Sequence, residues 1–120
     1  MENQHIALAA PEDRAALMRT LVLAFVSDPM TRWYFDRAEA YLEAAATFFD
    51  AFGGSAFAHA SAWSANGEQA VALWLPPGAE PDGKGMMAVC TASCSDARLD
   101  DLMMVMGQME QFHPREAHWY

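Results

Sequence analysis

Asn66-Gly67, set between two runs that alternate with period two, constrains this chain more than any other feature. Both residue types tolerate the left-handed backbone of a tight hairpin turn, so the dipeptide pins two neighbouring strands antiparallel. The spacing predicts one strand over 56–64 and a second over 69–75, an antiparallel hairpin within 56–75. A two-residue turn makes residues whose numbers sum to 133 oppose each other, so His59 faces Trp74 and Ala60 faces Leu73. One face then carries Phe57, His59, Ser61, Trp63 and Trp74. The other sets small Ala58, Ala60 and Ala62 beside Val71, Leu73 and Leu75, a flat apolar surface on which a helix can lie.

Helical patterns fill the rest. A short strand is expected over 5–9, and Pro11 with Glu12 and Asp13 starts a helix, since proline suits the first helical position and carboxylates favour the N-terminal dipole. The stripe Leu17, Leu21 and Phe25 with Met18 and Val22 carries that helix to about residue 26, where Ser27-Asp28-Pro29 closes it. After the aromatic cluster Trp33, Tyr34 and Phe35, Asp36-Arg37-Ala38-Glu39 has the form of a capping box. It opens a second helix through Tyr41, Ala45, Phe48 and Phe52, stopped by Gly53-Gly54. Pro76-Pro77-Gly78 ends the hairpin, and a flexible loop runs through Gly85. A third helix follows that loop, its best-defined part from Ser95 or Asp96 to Phe112, with Leu99, Leu102, Met103, Met106 and Met109 at helical spacing and His113-Pro114 ending it, and His118-Trp119-Tyr120 reads as the opening of a further strand. The expected class is mixed α/β (α+β), a single domain over 1–120 in the order β-α-α-β-β-α and then the start of a strand.

Charge narrows the partners. Seven Lys+Arg against sixteen Asp+Glu give a net charge of −9, the wrong sign for a nucleic-acid backbone or an anionic membrane surface. No apolar run approaches the roughly 18 residues that span a bilayer, and the start Met1-Glu2-Asn3-Gln4 lacks the basic region of a signal peptide, so the cytoplasm is the expected compartment. Cys90 and Cys94 share a helix face without the further Cys or His of a metal set, and read as reduced, semi-buried thiols.

Several runs taken in order resemble the N-terminal half of bacterial GNAT-superfamily acetyltransferases. They are Phe25-Val26-Ser27-Asp28-Pro29 before Arg32-Trp33, the acidic start at Asp36, Ala51-Phe52-Gly53-Gly54, Ala72-Leu73-Trp74-Leu75-Pro76-Pro77-Gly78, and His113-Pro114 followed by His118-Trp119-Tyr120. Together they span nearly the whole chain. The resemblance implies a partial acyl-CoA N-acyltransferase fold that supplies the acceptor side of a cleft, with acetyl-CoA as cosubstrate and an amine as acceptor. The family holds the cosubstrate pyrophosphate on a Gln/Arg-x-x-Gly-x-Gly/Ala loop at a helix N-terminus. That loop has no counterpart here, and Ala117 stands where the family often has proline. The expectation is therefore a portion truncated before its cofactor-binding motif and inactive alone, with no catalytic residue to name and no cofactor or metal held by this chain.

The residues singled out for substrate binding are Trp33 and Tyr34, which the resemblance sets beside the acceptor site, and His59 with Trp74 on the hairpin. Each has a plain packing role as its competitor: aromatics dominate small cores, and a lone histidine on a sheet is commonly only hydrogen-bonded. The acceptor would be a small amine or a hydrophobic ligand. A second class of function is a non-catalytic ligand-binding or dimerising domain of the same ancestry. An unfinished sheet edge favours association, so a homodimer, or a completing C-terminal half, is the expected partner.

Overall fold

In the computed structural model, residues 4–120 are described, and Met1, Glu2 and Asn3 at the acidic start lie outside them. Strands β1 (Ile6–Leu8), β2 (Ala62–Ala65) and β3 (Ala70–Leu73) form an antiparallel sheet in the order β1-β2-β3. Five α-helices accompany it among the described residues: α1 (Arg14–Ala24), α2 (Pro29–Tyr34), α3 (Ala38–Gly53), α4 (Gly83–Ser93) and α5 (Asp96–Phe112). The mixed α+β class expected from the sequence is the class observed.

The hairpin turns where Asn66-Gly67 requires, with φ of 49° and 75° at the two residues. Its register differs from the expected one. Ala62 pairs with Leu73 and Ala65 with Ala70, which leaves residues 66–69 in the loop. Two tertiary contacts account for the longer loop. Asn66 exchanges hydrogen bonds with His5 beside β1, its N–H donating to the His5 carbonyl at 2.8 Å and its Oδ1 accepting from the His5 N–H at 2.9 Å. The Thr20 hydroxyl of α1 donates to the Glu68 carbonyl at 2.7 Å and holds that residue out of the ladder. Because each pairing moves by two residues, the side-chain faces stay as expected.

The first hairpin strand also starts later, at Ala62 rather than at 56. Gly53-Gly54 does not stop α3 cleanly: the chain continues as a 3-10 turn over Gly54–Phe57 and a further turn through Ala60, whose φ is 50°. Alanine favours helix and turn over strand, and the Ser61 N–H closes back on the Ala56 carbonyl at 2.9 Å. His59 is therefore exposed on this turn and does not face Trp74. Ser61 does, accepting from the Trp74 N–H at 3.1 Å and donating its hydroxyl to the Trp74 carbonyl at 2.6 Å. Past β3, Leu75 and Tyr120 exchange both backbone hydrogen bonds, at 2.5 and 3.1 Å. The strand opening expected at 118–120 is thus one reciprocal pair on the free edge of β3.

The helices depart from expectation in four places. The first ends at Ala24; its start is a 3-10 turn over Pro11–Asp13. The aromatic cluster folds as α2, begun by Pro29 and capped by Asp28, whose carboxylate accepts from the Thr31 N–H at 2.8 Å. Helix α3 takes Arg37 as its cap without a side-chain bond, so the capping box at Asp36 does not form. The stretch read as a flexible loop through Gly85 starts α4, because Asp82 caps it by accepting from the Gly85 N–H at 2.9 Å. Gly85 there marks closeness rather than freedom: a Cβ would run into the Asp82 carboxylate and lie 3.2 Å from Ala51 of α3.

Two buried clusters hold these elements. Phe35, Tyr41, Ala45, Phe48, Met86, Cys90 and Leu102 join α3, α4 and α5 around α2. Ala56, Ala62, Leu75 and Ala79 lie beneath the sheet, with Leu73 and Tyr120 packed against them. Fully burying side chains such as Phe35, Leu75 or Leu102 contributes roughly 1.5–3 kcal/mol each. The helices cover one sheet face only: Ala62 is buried and Val71 and Leu73 half-buried, whereas Ile6 (65% exposed), Leu8 (48%), Trp63 (39%) and Trp74 (49%) stand open on the other.

Candidate functional site

Trp33 and Tyr34 come together on α2 with ring centroids 5.8 Å apart. The Arg98 guanidinium of α5 covers the Trp33 ring at 4.8 Å. Tyr34 stacks at 5.8 Å on Phe48, and its backbone carbonyl accepts from the Cys94 thiol at 2.9 Å. Burial raises the Tyr34 hydroxyl above its ordinary value. This geometry ties α2 to α3, α4 and α5, so packing occupies much of the aromatic surface that the sequence offers as a ligand lining. One edge of interest remains: the Arg98 Nε is buried without a partner beside Trp33.

His59 and Trp74 are separate features, not a pair. His59 is exposed on the turn after the 3-10 segment, and Trp74 stands on the open sheet face across from Ser61. Of the four residues singled out from the sequence, only Trp33 and Tyr34 share a ring contact.

The structure gathers a further group at the chain's end. The rings of His113, His118 and Tyr120 lie 4.8, 5.2 and 5.4 Å from one another. Pro114 turns the backbone after α5, and the Leu75–Tyr120 pair brings it back to the sheet. Tyr120 is anchored by donating its hydroxyl to the Ala79 carbonyl at 3.1 Å, and burial, with Glu80 nearby, pushes the pKa of that hydroxyl above its ordinary value. His118 Nδ1 lies 2.6 Å from the Glu116 carbonyl, a contact that fits an Nδ1–H donor. Beside this cluster an open, mostly apolar depression of about 430 Å³ is lined by Val105, Gln108, Met109, Phe112, His113 and Pro114. Of the two imidazoles, His113 lines the depression, whose apolar walls suit a small aromatic molecule. The sequence shows the three residues only as a helix end and a strand start. Their spacing, five residues and then two, acquires meaning once the chain reverses at Pro114.

The thiols are quiet. Burial, then the neighbouring Cys94, pushes Cys90 up to about 11, and burial with Asp36 nearby raises Cys94. Both are free cysteines. Among the described residues no group of three or more His, Cys, Asp and Glu is arranged to hold a metal ion, and no helix is long and apolar enough to cross a membrane. Comparison of the chain with protein-family models, with curated proteins and with solved structures yields no match.

Proposed function

We propose that this chain is the acceptor-side portion of a GNAT-like acyl-CoA N-acyltransferase, which transfers an acyl group from acetyl-CoA to an amine. One observation carries the reading: in a sheet ordered β1-β2-β3, Tyr120 pairs with Leu75 just past the end of β3, on the side away from β2. The family resemblance implies a thioester-lining strand following His-Trp-Tyr, and this pairing is the start such a strand requires. In this reading Trp33 and Tyr34 border the acceptor, whose ammonium proton must leave before the amine attacks. The pyrophosphate loop has no counterpart in these residues, so activity is expected only with a completing C-terminal half, and the compartment is expected to be the cytoplasm.

The test is calorimetric titration of the folded chain with acetyl-CoA, together with sequencing of the DNA beyond the codon for Tyr120. Micromolar binding, or a downstream strand followed by a Gly-x-Gly loop, supports the reading. A folded chain that binds no acetyl-CoA, with no such loop encoded, overturns it in favour of a non-catalytic binding or dimerising domain.

A further inference from the structure

Pairing fixes which residues share the open face of the sheet. Leu8, Trp63 and Ala72 form one row and Ile6, Ala65 and Ala70 the next, with Trp74 opposite Ser61 beyond them. The Tyr120 side chain packs beneath the sheet with Leu75 and Ala79. Trp119, one residue earlier, is 55% exposed. Two of the four tryptophans, Trp63 and Trp74, stand on the open face, and none of the residues in these rows carries a charge.

We propose that this face is a dimerisation surface and that its occupant is a second copy of the same chain, packed sheet on sheet about a twofold axis. Area is the first argument. Aromatic side chains bury about 150–250 Å² each, so the exposed fractions of Ile6, Leu8, Trp63 and Trp74 amount to roughly 400 Å². With the flanking alanines this is more than half of the ~800 Å² per partner of a standard interface, and it falls in the size range of the largest apolar patch on a monomer, which is often functional.

Shape is the second argument. A row bearing bulky Leu8 and Trp63 lies beside a row of small Ala65 and Ala70, so a twofold can seat the tryptophans of one copy over the alanines of the other. Charge is the third. No residue of the patch is ionised, so two copies can meet here without burying a charge, whereas a chain of net charge −9 repels anionic lipid. A small molecule is the weaker occupant because the face is flat, whereas an apolar depression lies elsewhere, at the end of α5. This inference concerns the chain itself and does not depend on the acyltransferase reading.

Sedimentation velocity across a micromolar range tests it, with far-UV circular dichroism confirming the fold of every variant. The wild-type chain is expected to form a dimer, with tryptophan emission moving to shorter wavelength as it assembles. Ala72→Glu sets like charges against each other at the twofold and is expected to weaken the dimer by about 100-fold or more. Trp74→Ser, should Ala72→Glu fail to fold, is expected to weaken it by at least about tenfold. Phe112→Ser, 83% exposed at the end of α5, is expected to leave it unchanged. A folded wild-type chain that stays monomeric to about 100 μM overturns the proposal. So does a dimer that survives the sheet-face substitutions, or one that is lost with Phe112→Ser.

Discussion

The two faces of the sheet are cut from the same strands and meet opposite surroundings. Toward the helices the side chains are small or aliphatic, Ala62, Val71, Leu73 and Leu75, and close packing covers them. Away from the helices the chain places bulky Trp63 and Trp74, and leaves them open. Folding such a chain satisfies one face. The apolar content of the other contributes little to monomer stability, because area that stays in water gains nothing from folding. Residue size alone is thus a poor guide to what holds this molecule together; the side on which a residue falls decides it.

The sharpest way to break that contrast is to compare substitutions on its two sides. Phe35→Ala removes a fully buried ring that meets Tyr41 and Phe48 edge-on at 5.8 and 5.7 Å, and is expected to cost about 3–5 kcal/mol in urea unfolding. That is much of the total stability of a typical domain. Neighbouring residues give the cleaner comparison: Leu75→Ala is expected to cost about 2–4 kcal/mol, and Trp74→Ala less than about 1 kcal/mol when measured on the monomer. Equal losses at the two positions would abolish the distinction between the faces. Tyr41→Phe leaves the ring and removes the hydrogen bond its hydroxyl donates to the Val22 carbonyl between α3 and α1, for an expected loss near 1 kcal/mol.

Two pH effects sharpen the picture at smaller scale. Burial holds the Cys90 thiol neutral, so its contribution is complete below the ordinary value of 9.0 and is lost as pH rises through about 11. Labelling by a thiol reagent at pH 8 should therefore be slow at Cys90 in the native chain and fast in urea. The backbone N–H of Thr31 holds the Asp28 carboxyl below its ordinary 3.8. Its capping contribution is complete above 3.8 and disappears as pH falls through the lower native value, and Asp28→Asn should flatten that acid limb of a stability-versus-pH curve.

How much of this was legible beforehand varies by element and for identifiable reasons. Asn66-Gly67 announces the turn because local backbone preference dominates there, yet Thr20 and His5 set the pairing from far along the chain, beyond the reach of local pattern. The turn over Gly54–Phe57 was hidden because alternation among alanines mimics a strand while alanine itself favours helix. The start of α4 was hidden because Gly83-Lys84-Gly85 has a loop's composition, whereas Gly85 serves the contact with Ala51. For the candidate site, the Trp33–Tyr34 contact follows from adjacency. The His59–Trp74 pairing rested on a register that does not occur. The His113–His118–Tyr120 cluster needs the chain reversal at Pro114, which no spacing rule supplies.

The Arg14–Asp50 ion pair carries a consequence for inheritance. Arg14 Nε and Asp50 Oδ1 meet at 2.6 Å directly against Gly54, where a Cβ would come within 2.5 Å of both side chains. Half-exposed, the pair is worth little as an electrostatic bond. It nevertheless claims the space of a third residue, so positions 14, 50 and 54 form one unit of variation. Among descendants of this sequence, any side chain acquired at 54 should be found together with a shortened or displaced partner at 14 or 50.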